Sequence, residues 1–149
     1  VEIVGHSLGG GMAGAAGAAN KITTTTYNPS GVHHETVKDY NVTDAKAWVT
    51  DYVVRTDPLN LAQDHRIALG VPLATLPNLI APGSGIWFAK EIYSDGSLAK
   101  AIGERESLSA RPADITSPFS SHYMMTVRRA IGARLDAVKR ERAETTCGG

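Results

Sequence analysis

Three side chains stand in an order that suits attack on a carbonyl carbon. Ser7 lies between glycines in Gly5-His6-Ser7-Leu8-Gly9, Asp57 follows the stretch WVTDYVVR and precedes Pro58, and His122 stands in Ser-Ser-His-Tyr. A serine hydroxyl at its free pKa is a poor nucleophile. It needs an adjacent base, usually histidine, held in one tautomer by a carboxylate. Serine first, then the acid, then the histidine along the chain is one of the orders in which such sets occur.

Each position has competitors. Asp51 lies inside the same apolar stretch, where its side chain points to one face, and Asp64 lies further downstream. Asp57 is preferred because loops at the carboxyl ends of parallel strands form sites and Pro58 turns the chain there. Its bland role is an Asx turn before proline. His65 follows Asp57 too closely to leave room for intervening structure, so His122 is the expected base, with packing at a helix start as its bland role. His6 precedes the serine within the turn, and its ring is expected to point away from the hydroxyl and to pack or hydrogen-bond behind it. His33-His34-Glu35 cannot all face one ion and have no spaced partner, so they read as a surface loop and no metal site is expected.

The elements that must position these groups follow from pattern. Val1–Val4 reads as a short strand. Residues 8–19, LGGGMAGAAGAA, form a helix that propensity alone would not sustain, since glycine costs about 1 kcal/mol against alanine at each interior position. Its small residues suit close approach to a sheet, with Asn20 as its stop. KITTTTY (21–27) is β-branched and reads as a strand ended by Asn28-Pro29-Ser30-Gly31. Residues 32–48 are polar with one or two helical turns, Thr43-Asp44 capping the piece that ends at Trp48. WVTDYVVR (48–55) is the next strand and Ile86–Tyr93 a further one. Residues 97–120 read as loop with one short helix. From Ser121 the pattern is helical, with Met124, Val127, Ile131, Leu135 and Val138 on one face and Ser120 or Ser121 as cap. Strands alternating with helices predict an α/β fold with a parallel sheet.

Composition bounds the rest. With 149 residues, 42% hydrophobic and 20% charged, the chain has one domain's worth of ordinary globular sequence. Fifteen basic and fifteen acidic side chains cancel, which argues against an electrostatic nucleic-acid binder. The single cysteine, Cys147, excludes an internal disulfide. Prolines 72, 77 and 82 interrupt the apolar run 67–89, so it reads as a partly buried loop region rather than a membrane span. The opening residues lack the pattern of a secretory leader, and a chain beginning at Val1 reads as a piece of something longer.

VEIVGHSLGG with its small-residue helix, TTTTYNPSGVH, VVRTDPLN and SSHYMMTVRRAI together resemble the class 3 lipases and related bacterial phospholipase-like effectors, within the α/β-hydrolase superfamily. Strand, tight serine turn and helix make the nucleophile elbow of that superfamily. The resemblance implies a fold beginning at the elbow strand, a partial α/β-hydrolase sheet of parallel strands with flanking helices. Residues 1–149 would then be the C-terminal portion of the domain. It implies Ser7 as nucleophile, His122 as base, Asp57 as the orienting acid and the Leu8 N–H in the oxyanion hole, with no cofactor. The second oxyanion donor would come from a missing N-terminal half or a partner chain. A lipid acyl ester is the implied substrate, with contact at a membrane surface, and residues 69–88 are the candidate acyl-chain wall or lid. Two other functions fit the same residues: an esterase on small soluble esters, and a non-catalytic or partner-dependent hydrolase-like module.

Overall fold

The computed structural model describes residues 1–64, 99–117 and 119–147. Four parallel strands in the order β1-β2-β3-β4 form one sheet: β1 (Ile3–His6), β2 (Thr24–Tyr27), β3 (Val49–Val54) and β4 (Glu104–Leu108). Between them run α1 (Ser7–Asn20), the short turns α2 (His34–Val37) and α3 (Ala45–Trp48), and α4 (Pro58–Asp64). Two 3-10 turns, Pro112–Asp114 and Ser120–His122, lead into the long helix α5 (Met124–Cys147). The α/β expectation is met.

The glycines of α1 make sense only in the folded chain. A Cβ on Gly5 would lie 2.5 Å from the Gly9 carbonyl oxygen and 2.8 Å from the Ala13 Cβ, so the strand can approach its own helix only without one. Gly10 and Gly11 meet Pro29 and Ser30 in the same way. The helix ends at Asn20, and Lys21 takes the left-handed conformation (φ 55°) behind it. Close packing thus offsets poor propensity. One core lies on this face of the sheet, where Ala18, Ala45 and Val49 pack with Val42, Trp48 and Ile102. The other lies under α5, where Val54, Leu108, Val127 and Ala130 pack with Tyr27, Tyr52 and Ile131. Of the expected apolar face of α5, only Val127 and Ile131 enter this core; Leu135 is 55% exposed.

Several expectations are corrected. Residues 104–108 are a strand rather than loop: ERESL carries no apolar alternation because only Leu108 is buried, yet β3 pairs with it over five residues. His33-His34-Glu35 begin a helical turn rather than a loop, with the Glu35 N–H donating to His33 Nδ1. Asp44 sits at the N-cap position of α3, but its side chain makes no capping bond. Neither Ser120 nor Ser121 caps α5. The Ser120 hydroxyl bonds the Ser117 carbonyl, and the Ser121 hydroxyl faces Thr56 Oγ1 at 2.7 Å. The strand expected at Ile86–Tyr93, the apolar wall at 69–88 and His65 lie outside the described residues. No helix among the described residues is long and apolar enough to cross a membrane.

Buried polar groups tie the strands together. Asp51 on β3 accepts from Thr26 Oγ1 of β2 at 2.5 Å and from the Gly103 N–H before β4 at 2.8 Å. Burial pushes its carboxyl above the usual range, against the lowering pull of these bonds. Asp51 is therefore a strut within the sheet, bonded to β2 on one side and to the residue before β4 on the other.

Candidate active site

Ser7 is the first residue of α1, immediately after β1, and holds φ at 55°. A non-glycine residue in the left-handed region is strained by about 1 kcal/mol or more, and such strain clusters at functional turns. The Ser7 carbonyl accepts from the Ser30 N–H at 2.9 Å, tying the turn to the segment after β2. The N-cap residue His6 makes no side-chain capping bond, so the first-turn N–H groups, Leu8 among them, keep no side-chain partner from that cap.

Asp57 is fully buried at the end of β3 and works through both oxygens. Oδ1 accepts from the Asn60 backbone N–H at 2.7 Å and from Asn60 Nδ2 at 2.8 Å. This is helix capping, with Asp57 as cap and Pro58 in the first helical position of α4. Oδ2 is left facing His122. The capping role and the site role are therefore held by the same side chain, one oxygen each. Asn60 Oδ1 in turn accepts from Arg105 Nη2 of β4 at 3.2 Å.

His122 closes the set. Its Nδ1–H donates to Asp57 Oδ2 at 2.6 Å, which leaves Nε2 as the acceptor for the Ser7 hydroxyl at 2.8 Å. Its side chain is 22% exposed, half-sheltered yet reachable from solvent. The segment before it is anchored by Asp114, whose carboxylate binds Arg111 (Nε, 2.9 Å) and Arg129 of α5 (Nη1, 2.7 Å). The hydrogen bonds from Arg111, then those from Arg129, hold the Asp114 carboxyl below its ordinary value despite burial.

The residues singled out from sequence fall as follows. Ser7, Asp57 and His122 converge through two hydrogen bonds, although 115 positions separate the serine from the histidine. Asp51 lies apart from them, and nothing is described of the Asp64 side chain. His6 hydrogen-bonds as expected: it donates to the His122 carbonyl oxygen, and its ring lies beside that of His122. Sequence reasoning missed Asn60, although Asp-Pro-x-Asn is a readable cap at a helix start. It also missed Asn28, treated only as a turn residue. Asn28 is fully buried with φ at 41°, accepts from the Val54 N–H and donates to the Ser121 carbonyl, both at 2.8 Å.

A cavity of about 190 Å³ adjoins the serine turn, lined by Leu8, Met12, Val32 and Thr36 among others. A second, of about 360 Å³, lies beyond the histidine between Tyr27, Met124, Met125, Arg128 and Ile131. Leu8, Met12, Phe119 and Tyr123, neighbours of Ser7 and His122 in sequence, are all at least 60% exposed. Among the described residues no three His, Cys, Asp or Glu side chains converge as metal ligands. A hydroxyl, an imidazole and a buried carboxylate in line can pass one proton back and forth.

A family model described as a Tle-like phospholipase domain matches residues 1–111. The chain belongs to this phospholipase-like family. No curated protein matches it. The family segment holds Ser7 and Asp57 and ends before His122, which the folded phospholipase-like chain brings to them from its last helix-forming segment. Membership suggests hydrolase activity of the phospholipase or lipase type.

Proposed function

We propose that the chain is a serine carboxylic-ester hydrolase that acts on acyl esters of lipids. The observation that carries this reading is the unbroken line from Asp57 Oδ2 through His122 to Ser7 Oγ, with distances of 2.6 and 2.8 Å. Ser7 is the nucleophile, His122 the general base and then acid, and Asp57 the group that holds the imidazole in its Nδ1–H tautomer. As the Ser7 oxygen bonds to the ester carbonyl carbon, its proton passes to His122 Nε2. The carbonyl oxygen becomes an oxyanion, which the Leu8 N–H at the start of α1 receives, aided by the positive end of the helix. Collapse of this intermediate breaks the ester C–O bond, and His122 returns the proton to the departing alcohol. Water then repeats the sequence on the acyl-serine and releases the fatty acid.

No metal or organic cofactor takes part in these steps. Family membership supports a lipid substrate, and the exposed apolar side chains beside Ser7 and His122 suit a lipid surface. Under the same reading, residues 1–149 are the C-terminal portion of an α/β-hydrolase domain whose nucleophile strand is β1. The second oxyanion donor then comes from outside the described residues.

Covalent labelling by a fluorophosphonate probe, followed by fatty-acid release from phospholipid vesicles, tests the proposal. Labelling that Ser7→Ala and His122→Ala both abolish, with release from vesicles, is expected. A folded chain that takes no label would refute catalysis by this chain alone and favour the partner-dependent module. Turnover of short soluble esters without release from vesicles would make the substrate a small ester.

A further inference from the structure

His6 has no part in the proton path above, yet it is the residue bonded to Ser7. Its Nε2–H donates to the His122 main-chain oxygen at 2.8 Å, and the two imidazole centroids lie 5.1 Å apart. The turn that carries His122 is held by its carbonyls in succession. Ser120 O accepts from Thr126 Oγ1 at 2.7 Å, Ser121 O from Asn28 Nδ2 at 2.8 Å, and His122 O from His6. The other donor near the His122 oxygen, Asn28 Nδ2, is 3.5 Å away, so His6 supplies the short bond.

This placement matters because His122 sits at a joint. It ends a 3-10 turn, and Tyr123 is extended (φ −72°, ψ 142°) before α5 begins. The Asp57 bond orients the ring, but Asp57 stands in the turn after β3, a strand that is two places from β1 in the sheet. The bond from His6, the last residue of β1, refers the main chain of the histidine to the strand that leads into Ser7. We propose that His6 is a positioning residue: by holding the His122 carbonyl it sets the separation between His122 Nε2 and the Ser7 hydroxyl. The proposal rests on the assignment of Ser7 and His122 given above. It predicts that His6 is the Nε2–H tautomer, since that nitrogen must donate to a carbonyl. It also predicts that what matters at position 6 is the donor rather than the ring.

Two variants separate these. His6→Phe keeps a flat ring beside His122 and removes the donor; His6→Gln removes the ring and returns an amide N–H at similar reach. On a p-nitrophenyl ester, His6→Phe is expected to lower kcat by about tenfold or more with little change in KM, because misplacement by about 1 Å can cost a hundredfold. His6→Gln is expected to restore most of the loss, and the thermal midpoints of the two variants to agree. Full activity in His6→Phe, or a His6→Gln no better than His6→Phe, would overturn the proposal. Nitrogen-15 NMR of the unsubstituted chain reads the His6 tautomer without any variant having to fold, and an Nδ1–H tautomer would overturn it too. A wild-type chain that neither takes the fluorophosphonate nor turns over ester would instead refute catalysis by this chain alone, while an Nδ1–H tautomer in the same sample would still overturn the clamp.

Discussion

The two outer glycines of Gly5-His6-Ser7-Leu8-Gly9 serve unequal purposes, and alanine at each tests this. At Gly5 a Cβ would stand 2.5 Å from the Gly9 carbonyl oxygen and 2.8 Å from both the Gly10 Cα and the Ala13 Cβ. Two of these neighbours are backbone of the helix that begins at Ser7, so no flexible side chain can yield. Relief requires moving β1 away from α1 by several tenths of an ångström. Overpacking of this kind costs about 3 kcal/mol. At Gly9 a Cβ meets nothing within 4 Å, and the residue is exposed and helical. Alanine there removes glycine's entropic cost in a helix and is expected to stabilise by about 0.5 kcal/mol, less than a mid-helix exchange because the site is in the first turn. Thermal midpoints are therefore expected to fall by about 9 °C for Gly5→Ala and to rise by about 1–2 °C for Gly9→Ala. Differential scanning calorimetry, with urea unfolding as a check, measures both. A Gly5→Ala chain as stable as wild type, or a Gly9→Ala chain that loses more than Gly5→Ala, would refute the reasoning from close approach.

Asn60→Ala removes the 2.8 Å bond to the buried Asp57 carboxylate and keeps the backbone one. We expect a loss of about 2 kcal/mol in urea unfolding, the usual scale for a hydrogen bond to a charged group, and unchanged stability would contradict it. Asp51 and Asp114 predict opposite pH dependences. Burial raises the Asp51 carboxyl in the folded state, so its contribution is complete below about pH 4, the unfolded value, and is lost as pH rises through the folded value. Asp51→Asn retains partners for Thr26 and Gly103, and should remove that fall above about pH 4. The Arg111 and Arg129 bonds lower the Asp114 carboxyl, so its contribution is present above about pH 4 and lost on further acidification. Asp114→Asn should flatten the urea midpoint against pH below pH 4, and an unaltered slope would count against the ion pairs as a brace of the His122 segment.

Sequence alone determined the features that local chemistry dictates. A β-branched run had to be extended, as at Thr24–Tyr27, and a serine forced to reverse a strand into a small-residue helix announced itself by its glycines. An aspartate before proline at a strand end is legible for the same reason, since cap and site role share one residue type. What sequence could not determine is set by groups far apart in the chain. β4 is a strand because β3 offers it a hydrogen-bonding edge, not because Glu-Arg-Glu-Ser-Leu favours one. Asn28 looked like a turn residue, but its amide bridges the end of β3 to the carbonyl of Ser121, 93 positions on. The same holds for His6, whose partner is 116 positions away. Periodicity and turn chemistry report on neighbours within a few residues. The meeting of Ser7, Asp57 and His122 depends on which strands lie side by side, and only the folded sheet decides that.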